Sequence, residues 1–433
     1  MFEKLSSEEK TKVIDFMEIY RKYVNPDSDN EINTIVDYVF DTIIKVYFEY
    51  KDIVPFISVN DDNYEYYIIK PIDGKYTLLD YLINTIIQNL DSIELIDNQM
   101  SSNYNMLKKK ISMNKKHTTS LHDSVFELSS QQLDRDKYKE LFYKNAIYHE
   151  IGHMLHYKIS NIVPQTVYVP QSYLSLSCFP PLKKRMSENA KKIEIKKRRE
   201  IVKKSAKEKI KKRISIYYES LSNKYDVLNP NDIDNCDLAV ERPNHKPEQI
   251  MIPPFFYLNP VDEAFSECDA QVYSGIFEND IFKTKDNNSM DCFYIPIDQE
   301  HLIMTYSPDV YFVSASIGFA LKECISKESY FRTMFLGKED LFVEFLGEYG
   351  LSTSQFAFKL AGADKRKMED VQSLLDDIIE FAKRNNKSLD WLNIYFPLVY
   401  KNNQWLYYTD AMDINKPKAK KKTLIQQNNP DKE

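Results

Sequence analysis

The sequence predicts a helix-dominated α+β fold for this chain of 433 residues. Several long segments place apolar residues at every third or fourth position, which is the spacing of an amphipathic helix. Shorter runs bounded by turn residues, such as the Asp73-Gly74 pair, indicate strands. Only 8 glycines are present, and the chain has no G-x-G-x-x-G or Walker-type loop. A nucleotide-binding fold is therefore not expected.

Four regions are expected along the chain. Residues 1–100 should be mainly helical, with helical patterns over 31–50 and 77–96 and a strand and turn between them. Residues 101–300 should form a core with a small sheet and a basic helical insertion at about 183–250. Residues 301–412 should form a C-terminal helical region with helices near 315–328, 338–350 and 366–385. Residues 413–433 are polar and predict a disordered tail.

A basic strip stands out against an acidic background. Residues 183–213 hold 16 Lys/Arg and 4 Glu, a net charge of +12, although the whole chain carries −7. The helix over 183–219 has a thin apolar stripe, so we expect a solvated helix that projects from the body. The competing hypothesis is a polyanionic partner, namely nucleic acid, anionic lipid or an acidic protein, bound through 183–213.

The cysteine spacing, the N-terminal residues and the apolar runs make several classes of protein unexpected. Five widely spaced cysteines without a C-x-x-C motif predict neither a disulfide framework nor a cysteine zinc ribbon. The N-terminus lacks the apolar segment of a signal peptide, and no run is long enough to span a membrane. The default expectation is a cytoplasmic protein, with signal-independent export left open.

The string NAIYHEIGHMLHYKIS, residues 145–160, contains an H-E-x-x-H motif within a predicted helix over 136–160. Residues four apart lie about 40° apart on a helix, so His149 and His153 can bind one metal ion from the same face. Glu150 lies beside them, where it can take a proton from a metal-bound water. Gly152 disfavours the helix by about 1 kcal/mol relative to Ala, which suggests that another element approaches the backbone there. A core helix with two packed histidines is the alternative.

A catalytic zinc site needs a third protein ligand, and a second predicted helix over 260–275 offers one. Its segment DEAFSECDA places Glu263 and Glu267 on one helical face, whereas Asp262 and Asp269 are expected off that face. Two carboxylates on a partly apolar helix need a cation. We assign Glu263 as the ligand and Glu267 as the acceptor for a ligand histidine. Exchanged roles, or an exposed acidic face, are the alternatives.

These motifs carry a resemblance to a known family. HEIGHMLH followed by a downstream E-A-F-S-E helix resembles the glutamate-zincins, and especially the family of the anthrax lethal factor catalytic domain and the Pro-Pro endopeptidases. The resemblance implies a zincin-like catalytic core in 101–300, with zinc on His149, His153 and Glu263. Glu150 would be the general base and Glu267 a supporting residue. The thimet-type oligopeptidases share HExGHxLH and are a second similar family.

The same resemblance implies a tyrosine that donates to the oxyanion, about two turns before the ligand glutamate. Tyr257 precedes Glu263 by six residues and is the candidate, while Phe256 occupies the position seven before. His153 and Glu263 are separated by 110 residues, more than in those relatives, and the basic segment lies in this interval.

The function expected from the sequence is therefore a zinc-dependent peptidase acting on a peptide or protein substrate. Two alternatives belong to other classes. The first is a catalytically inactive zincin-like interaction protein. The second is a nucleic-acid-associated protein that acts through its basic helix and whose H-E-x-x-H motif is accidental.

Overall fold

A computed structural model of the chain describes residues 1–58, 68–97, 102–105, 108–115, 135–161, 186–234, 259–274, 318, 320–347, 356, 368–387, 398–401 and 404–407. Within these ranges the fold is helix-dominated with small sheets, which confirms the predicted α+β class. The helices are α1 (Ser7–Val24), α2 (Asn30–Tyr50), α3 (Leu78–Asn89), α4 (Arg135–Leu155), α5 (Glu188–Leu221), α6 (Asn259–Ser274), α7 (Lys327–Leu336), α8 (Asp340–Leu346) and α9 (Met368–Arg384).

The described strands form three small sheets. Strands β1 (Phe56–Ser58) and β2 (Lys75–Thr77) pair antiparallel. Strands β3 (Ser92–Leu95), β4 (Asn103–Asn105) and β5 (Lys110–Met113) form a mixed sheet in the order β3-β5-β4, in which β3 is parallel and β4 antiparallel to β5. Strands β6 (Leu398–Lys401) and β7 (Gln404–Tyr407) form an antiparallel hairpin.

Local sequence explains where several helices begin. Ser6 and Glu9 form a reciprocal capping box at the start of α1, which satisfies two of the free N–H groups there. The side chains of Asp29, Thr77 and Ser326 accept backbone N–H groups at the starts of α2, α3 and α7. The N-cap at Ser326 separates α7 from the helical residues 320–324, so the expected helix over 315–328 does not continue through this point.

The predicted turn at Asp73-Gly74 is confirmed. Both residues have positive φ, 50° and 70°, as a type I′ turn requires, and Ile72 and Lys75 exchange backbone hydrogen bonds across it. The helix expected over 77–96 is wrong over residues 90–96. It ends at Asn89, because Leu90 is extended and the following residues pair as β3 with β5.

The basic helix differs from its prediction near its C-terminal end. The expectation of a solvated helix over 183–219 fails from residue 210 onward, where five side chains enter the core: Ile210, Arg213, Ile214, Tyr217 and Leu221. The Arg213 guanidinium pairs with Asp91 and donates to the Ile87 carbonyl at 2.7 Å. The C-terminal third of α5 is therefore part of the body.

Buried apolar residues from the N-terminal, central and C-terminal regions form one continuous core, from Leu5 to Ala382. Helix α4 lies inside this core, packed along α6 and also in contact with α2, α3 and β4. Several sequence predictions fall on residues outside the described ranges, among them Tyr257 and the tail 413–433. None of the helices described is long and apolar enough to cross a membrane.

Candidate metal centre

Helix α4 supplies two histidines to a buried site. Ile147, Ile151, Met154 and Leu155 are buried, as the helical spacing predicted, and they fix the orientation of α4 in the core. His149 and His153 then project from the same side, one turn apart, with their Nε2 atoms 3.0 Å from each other. Their rings meet edge to face.

Helix α6 places Glu263 between these two imidazoles. The Glu263 Oε2 atom lies 3.1 Å from His149 Nε2 and 3.4 Å from His153 Nε2. Two imidazole nitrogens and one carboxylate oxygen thus converge within 4.8 Å of one another. The three predicted ligands, from positions 110 residues apart, are brought together by the α4–α6 contact.

The other ring nitrogen of each histidine faces a carboxylate of α6. Glu267 Oε2 lies 2.9 Å from His149 Nδ1, and Asp262 Oδ2 lies 2.7 Å from His153 Nδ1. Carboxylates at Nδ1 hold the rings in place and leave Nε2 for a metal. Glu267 also accepts a hydrogen bond from Asn145 Nδ2 at 3.0 Å, so its own position is fixed.

Asp262 corrects the sequence-based assignment, which had placed it off the site-facing side of α6. It reaches His153 because α6 crosses α4 with Glu263 between the two imidazoles, and this leaves flanking carboxylates for both rings. The crossing of two distant helices is not encoded in either segment alone.

Glu150 lies beside the ligands and is 6% exposed. Its carboxylate accepts the backbone N–H of Tyr104 from strand β4, which connects the site to the sheet edge. Burial raises the pKa of Glu150 above its ordinary value, although the neighbouring imidazoles oppose this shift. A raised pKa brings a carboxylate closer to the range in which it exchanges protons near neutral pH.

The electrostatics of the site favour a cation. Burial alone would lower the pKa values of His149 and His153, but the carboxylates around them outweigh burial and raise both pKa values. Burial alone would raise the pKa of Glu263, yet the two imidazoles hold it well below its usual range. The site therefore stabilises positive charge, which a bound metal ion supplies in place of protons.

The donor set fits zinc. Ligands held at roughly 2.0–2.1 Å in tetrahedral geometry lie about 3.3 Å from one another. The separations of 3.0, 3.1 and 3.4 Å among the two Nε2 atoms and the Glu263 oxygen are close to that value. Two imidazoles and one carboxylate are also the ligand number that leaves a fourth position open.

Gly152 explains how closely the two helices approach. A Cβ at this position would lie 3.0 Å from the Cβ of Ser266 and 3.2 Å from its Cα. The predicted close approach to the Gly152 backbone is thus confirmed, and α6 is the element concerned. The absence of a side chain here lets the carboxylates of α6 reach the histidines of α4.

The alternative of an exposed acidic face on α6 is excluded, because the side chains of Glu263 and Glu267 are only 15% and 9% exposed. The five residues that the sequence placed in one site do lie together: His149, Glu150, His153, Glu263 and Glu267. Asp262 also belongs to this site and was not predicted. No family model matches the chain, and no curated protein or solved structure matches it either. The resemblance to the glutamate-zincins therefore stays a prediction.

Proposed function

We propose that this protein is a zinc-dependent peptidase, with a zincin-like catalytic core formed by α4, α6 and the β3-β5-β4 sheet. One observation carries the proposal. His149, His153 and Glu263 converge on a single point, and Glu150 lies buried next to them. In this proposal zinc is held by the two Nε2 atoms and the Glu263 carboxylate.

Zinc, when bound, lowers the pKa of a coordinated water to about 7 and polarises a substrate carbonyl. The residues of the chain perform the remaining work. Glu150 takes the proton of the attacking water and returns it to the leaving amine. Glu267 and Asp262 keep the two imidazoles oriented throughout, because they hold the Nδ1 atoms. Tyr257, which lies outside the described residues, is proposed as a hydrogen-bond donor to the oxyanion.

Strand β4 supports a peptide as the substrate. Among the strands described, β4 pairs only with β5, so its second edge has no strand beside it. The N–H of Tyr104 in this strand donates to Glu150, so the edge lies directly at the candidate site. An extended peptide can add to such an edge through main-chain hydrogen bonds. That arrangement would place a scissile peptide bond near Glu150 and the metal ligands.

Cleavage of a peptide library by the zinc-loaded chain tests the proposal. Wild type should cut a subset of peptides, and Glu150→Gln should keep the metal but lose about 10²–10⁴-fold in kcat, since only the base is removed. Wild type that binds zinc without cutting any peptide would support the inactive interaction protein. A Glu150→Gln variant with most of its activity intact would refute the assigned base.

The nucleic-acid alternative rests on the basic segment and makes a different prediction. It requires binding of polyanions that depends steeply on salt and does not depend on His149 or His153.

A further inference from the structure

A second group of buried polar residues lies directly behind the candidate metal centre. It comprises Ser266 and Asp269 on α6, His156 just after α4, Lys322 in the helical segment 320–324, and Tyr330 on α7. We call these five residues the rear network. Ser266, Asp269 and His156 are each at most 2% exposed. The proposed catalytic chemistry uses none of them.

The rear network begins at Asp262, the carboxylate that holds His153. Ser266 Oγ donates to Asp262 Oδ1 at 3.2 Å. The same Oγ lies 3.2 Å from His156 Nδ1 and 3.3 Å from His153 Nδ1. The opposite ring nitrogen of His156, Nε2, lies 3.4 Å from Asp269 Oδ2. The His156 ring also packs edge to face on Phe335, with centroids 5.2 Å apart, which fixes its plane.

Lys322 and Tyr330 anchor the other end. Lys322 Nζ lies 2.7 Å from Asp269 Oδ1 and 3.3 Å from Glu49 Oε1, and it sits over the ring of Tyr330 at 4.6 Å. Tyr330 donates to Asp269 Oδ2 at 3.0 Å. Asp269 is thus held by a partly buried cation on one oxygen and by a hydroxyl and an imidazole on the other.

Such a network is not expected to exist for the stability of the fold alone. A buried ion pair rarely stabilises a fold more than apolar side chains of similar volume, because both charges lose their hydration. What the network provides is orientation, since its contacts converge on Asp262 and on Ser266, both of which lie against His153 Nδ1. A carboxylate that orients a metal ligand must itself be held in place.

We propose that the rear network positions the metal centre by orienting His153, chiefly through Asp262 at 2.7 Å and also through Ser266 at 3.3 Å from His153 Nδ1. Its residues touch neither metal nor substrate. This inference rests on the proposed zinc site, but it concerns metal affinity and not peptide hydrolysis. It assigns a role to His156, Ser266, Asp269, Lys322 and Tyr330 that the H-E-x-x-H motif does not include.

The test measures binding of Zn²⁺ and Co²⁺ to the full-length chain by competition with a chromophoric chelator. Loss of a carboxylate that orients a metal ligand, as in Asp262→Asn, weakens binding by about 10–100-fold. Asp269→Asn acts one step further out, and we expect about a 3–10-fold loss. The visible spectrum of bound Co²⁺ should change as well, because the orientation of His153 is altered.

A double-mutant cycle separates positioning from general damage. If the rear network acts chiefly through Asp262, then Asp269→Asn should have a smaller effect on metal affinity in the Asp262→Asn background than in the wild type. The matched control is Asp91→Asn, which removes the carboxylate that faces another buried cation, Arg213, away from the site. Asp91→Asn should cost stability and leave metal affinity and the Co²⁺ spectrum unchanged.

Two milder variants guard against a failure to fold. Tyr330→Phe removes one donor to Asp269 and keeps the Lys322 pair, and Ser266→Ala cuts the connection between Asp262 and His156. Both should weaken metal binding. Unchanged affinity in these variants, an undiminished Asp269→Asn effect without Asp262, or an equal loss in Asp91→Asn would overturn the inference. Wild type that binds no metal would instead refute the proposed function, and the inference with it.

Discussion

Glu263 and Glu267 lie one helical turn apart on α6, yet they meet different atoms of the same histidine. Glu263 faces His149 Nε2 at 3.1 Å, and Glu267 faces His149 Nδ1 at 2.9 Å. Only Glu263 also approaches His153 Nε2, so only Glu263 can share a metal with both imidazoles. The geometry therefore favours the assigned roles over the exchanged roles that the sequence left open.

These roles predict unequal losses of zinc affinity. Glu263→Gln removes a charged ligand, whereas Glu267→Gln removes the partner of Nδ1 and should weaken zinc binding by about 10–100-fold. Zinc competition titrations of the two variants should show the larger loss for Glu263→Gln. A larger loss for Glu267→Gln would mean that the two residues have exchanged roles. Both substitutions preserve side-chain volume, so each serves as the control for the other.

At the scale of residues, the sequence predicted best those side chains whose relative positions are determined by a single helix. His149, Glu150 and His153 follow from helical spacing alone, because the helix determines their relative positions. The contact of Asp262 with His153 could not be predicted in this way, because it depends on the packing of two helices that are more than one hundred residues apart in the sequence. Helical spacing places His156 near the face of His149 and His153, but its connection to Asp269 and Lys322 could not be predicted, because these residues come from three separate segments.

At the scale of elements, the contact between α4 and α6 depends on the missing side chain at Gly152. Gly152→Ala should destabilise the fold by about 1–3 kcal/mol and weaken zinc binding, because its Cβ would meet Ser266 and push the helices apart. Adding Ser266→Gly should recover part of the lost stability but not the zinc affinity, because it also removes the Ser266 hydroxyl from the rear network. Thermal unfolding and zinc titration measure the two effects. A fully stable Gly152→Ala variant with normal zinc affinity would show that α6 does not depend on this approach.

Helix α5 combines a basic N-terminal segment with a buried C-terminal third, and two isoleucines distinguish them. Ile214 is fully buried, so Ile214→Ala should cost about 2–5 kcal/mol. Ile201 is 48% exposed, and Ile201→Ala should change stability by no more than about 0.5 kcal/mol. Chemical denaturation of both variants provides the comparison. Equal effects would contradict the boundary at residue 210.

The elements that the sequence did not predict are short. Strands β4 and β5 contain three and four residues, and neither Asn103–Asn105 nor Lys110–Met113 has enough length for a clear alternating pattern. Strand β5 contributes Ile111 and Met113 to the core and pairs with both β3 and β4. By contrast, α4 and α6 are long, and their predicted starts agree with the structure within one residue. The predicted end of α4 at residue 160 is wrong, because the α-helix ends at Leu155 and a 3-10 helix follows over Tyr157–Asn161.

At the scale of the whole molecule, one continuous core holds the site together. Apolar residues from the N-terminal, central and C-terminal regions contribute to it. Helix α4 contacts α2 and α3 from the first region and α6, β4 and β5 from the central region. Six ionisable side chains meet at the site and are largely buried: His149, Glu150, His153, Asp262, Glu263 and Glu267. Such a cluster is costly unless its charges are compensated, and a divalent cation compensates them.

Zinc content tests this account most directly. The full-length chain, stripped with chelator, reloaded and desalted, should retain one equivalent of zinc by mass spectrometry of the metal. His149→Ala should retain little or none, because a ligand is lost, and Glu150→Gln should retain the full equivalent, because the base is not a ligand. Wild type that retains no zinc after loading, or His149→Ala that retains as much as wild type, would contradict the proposed metal centre.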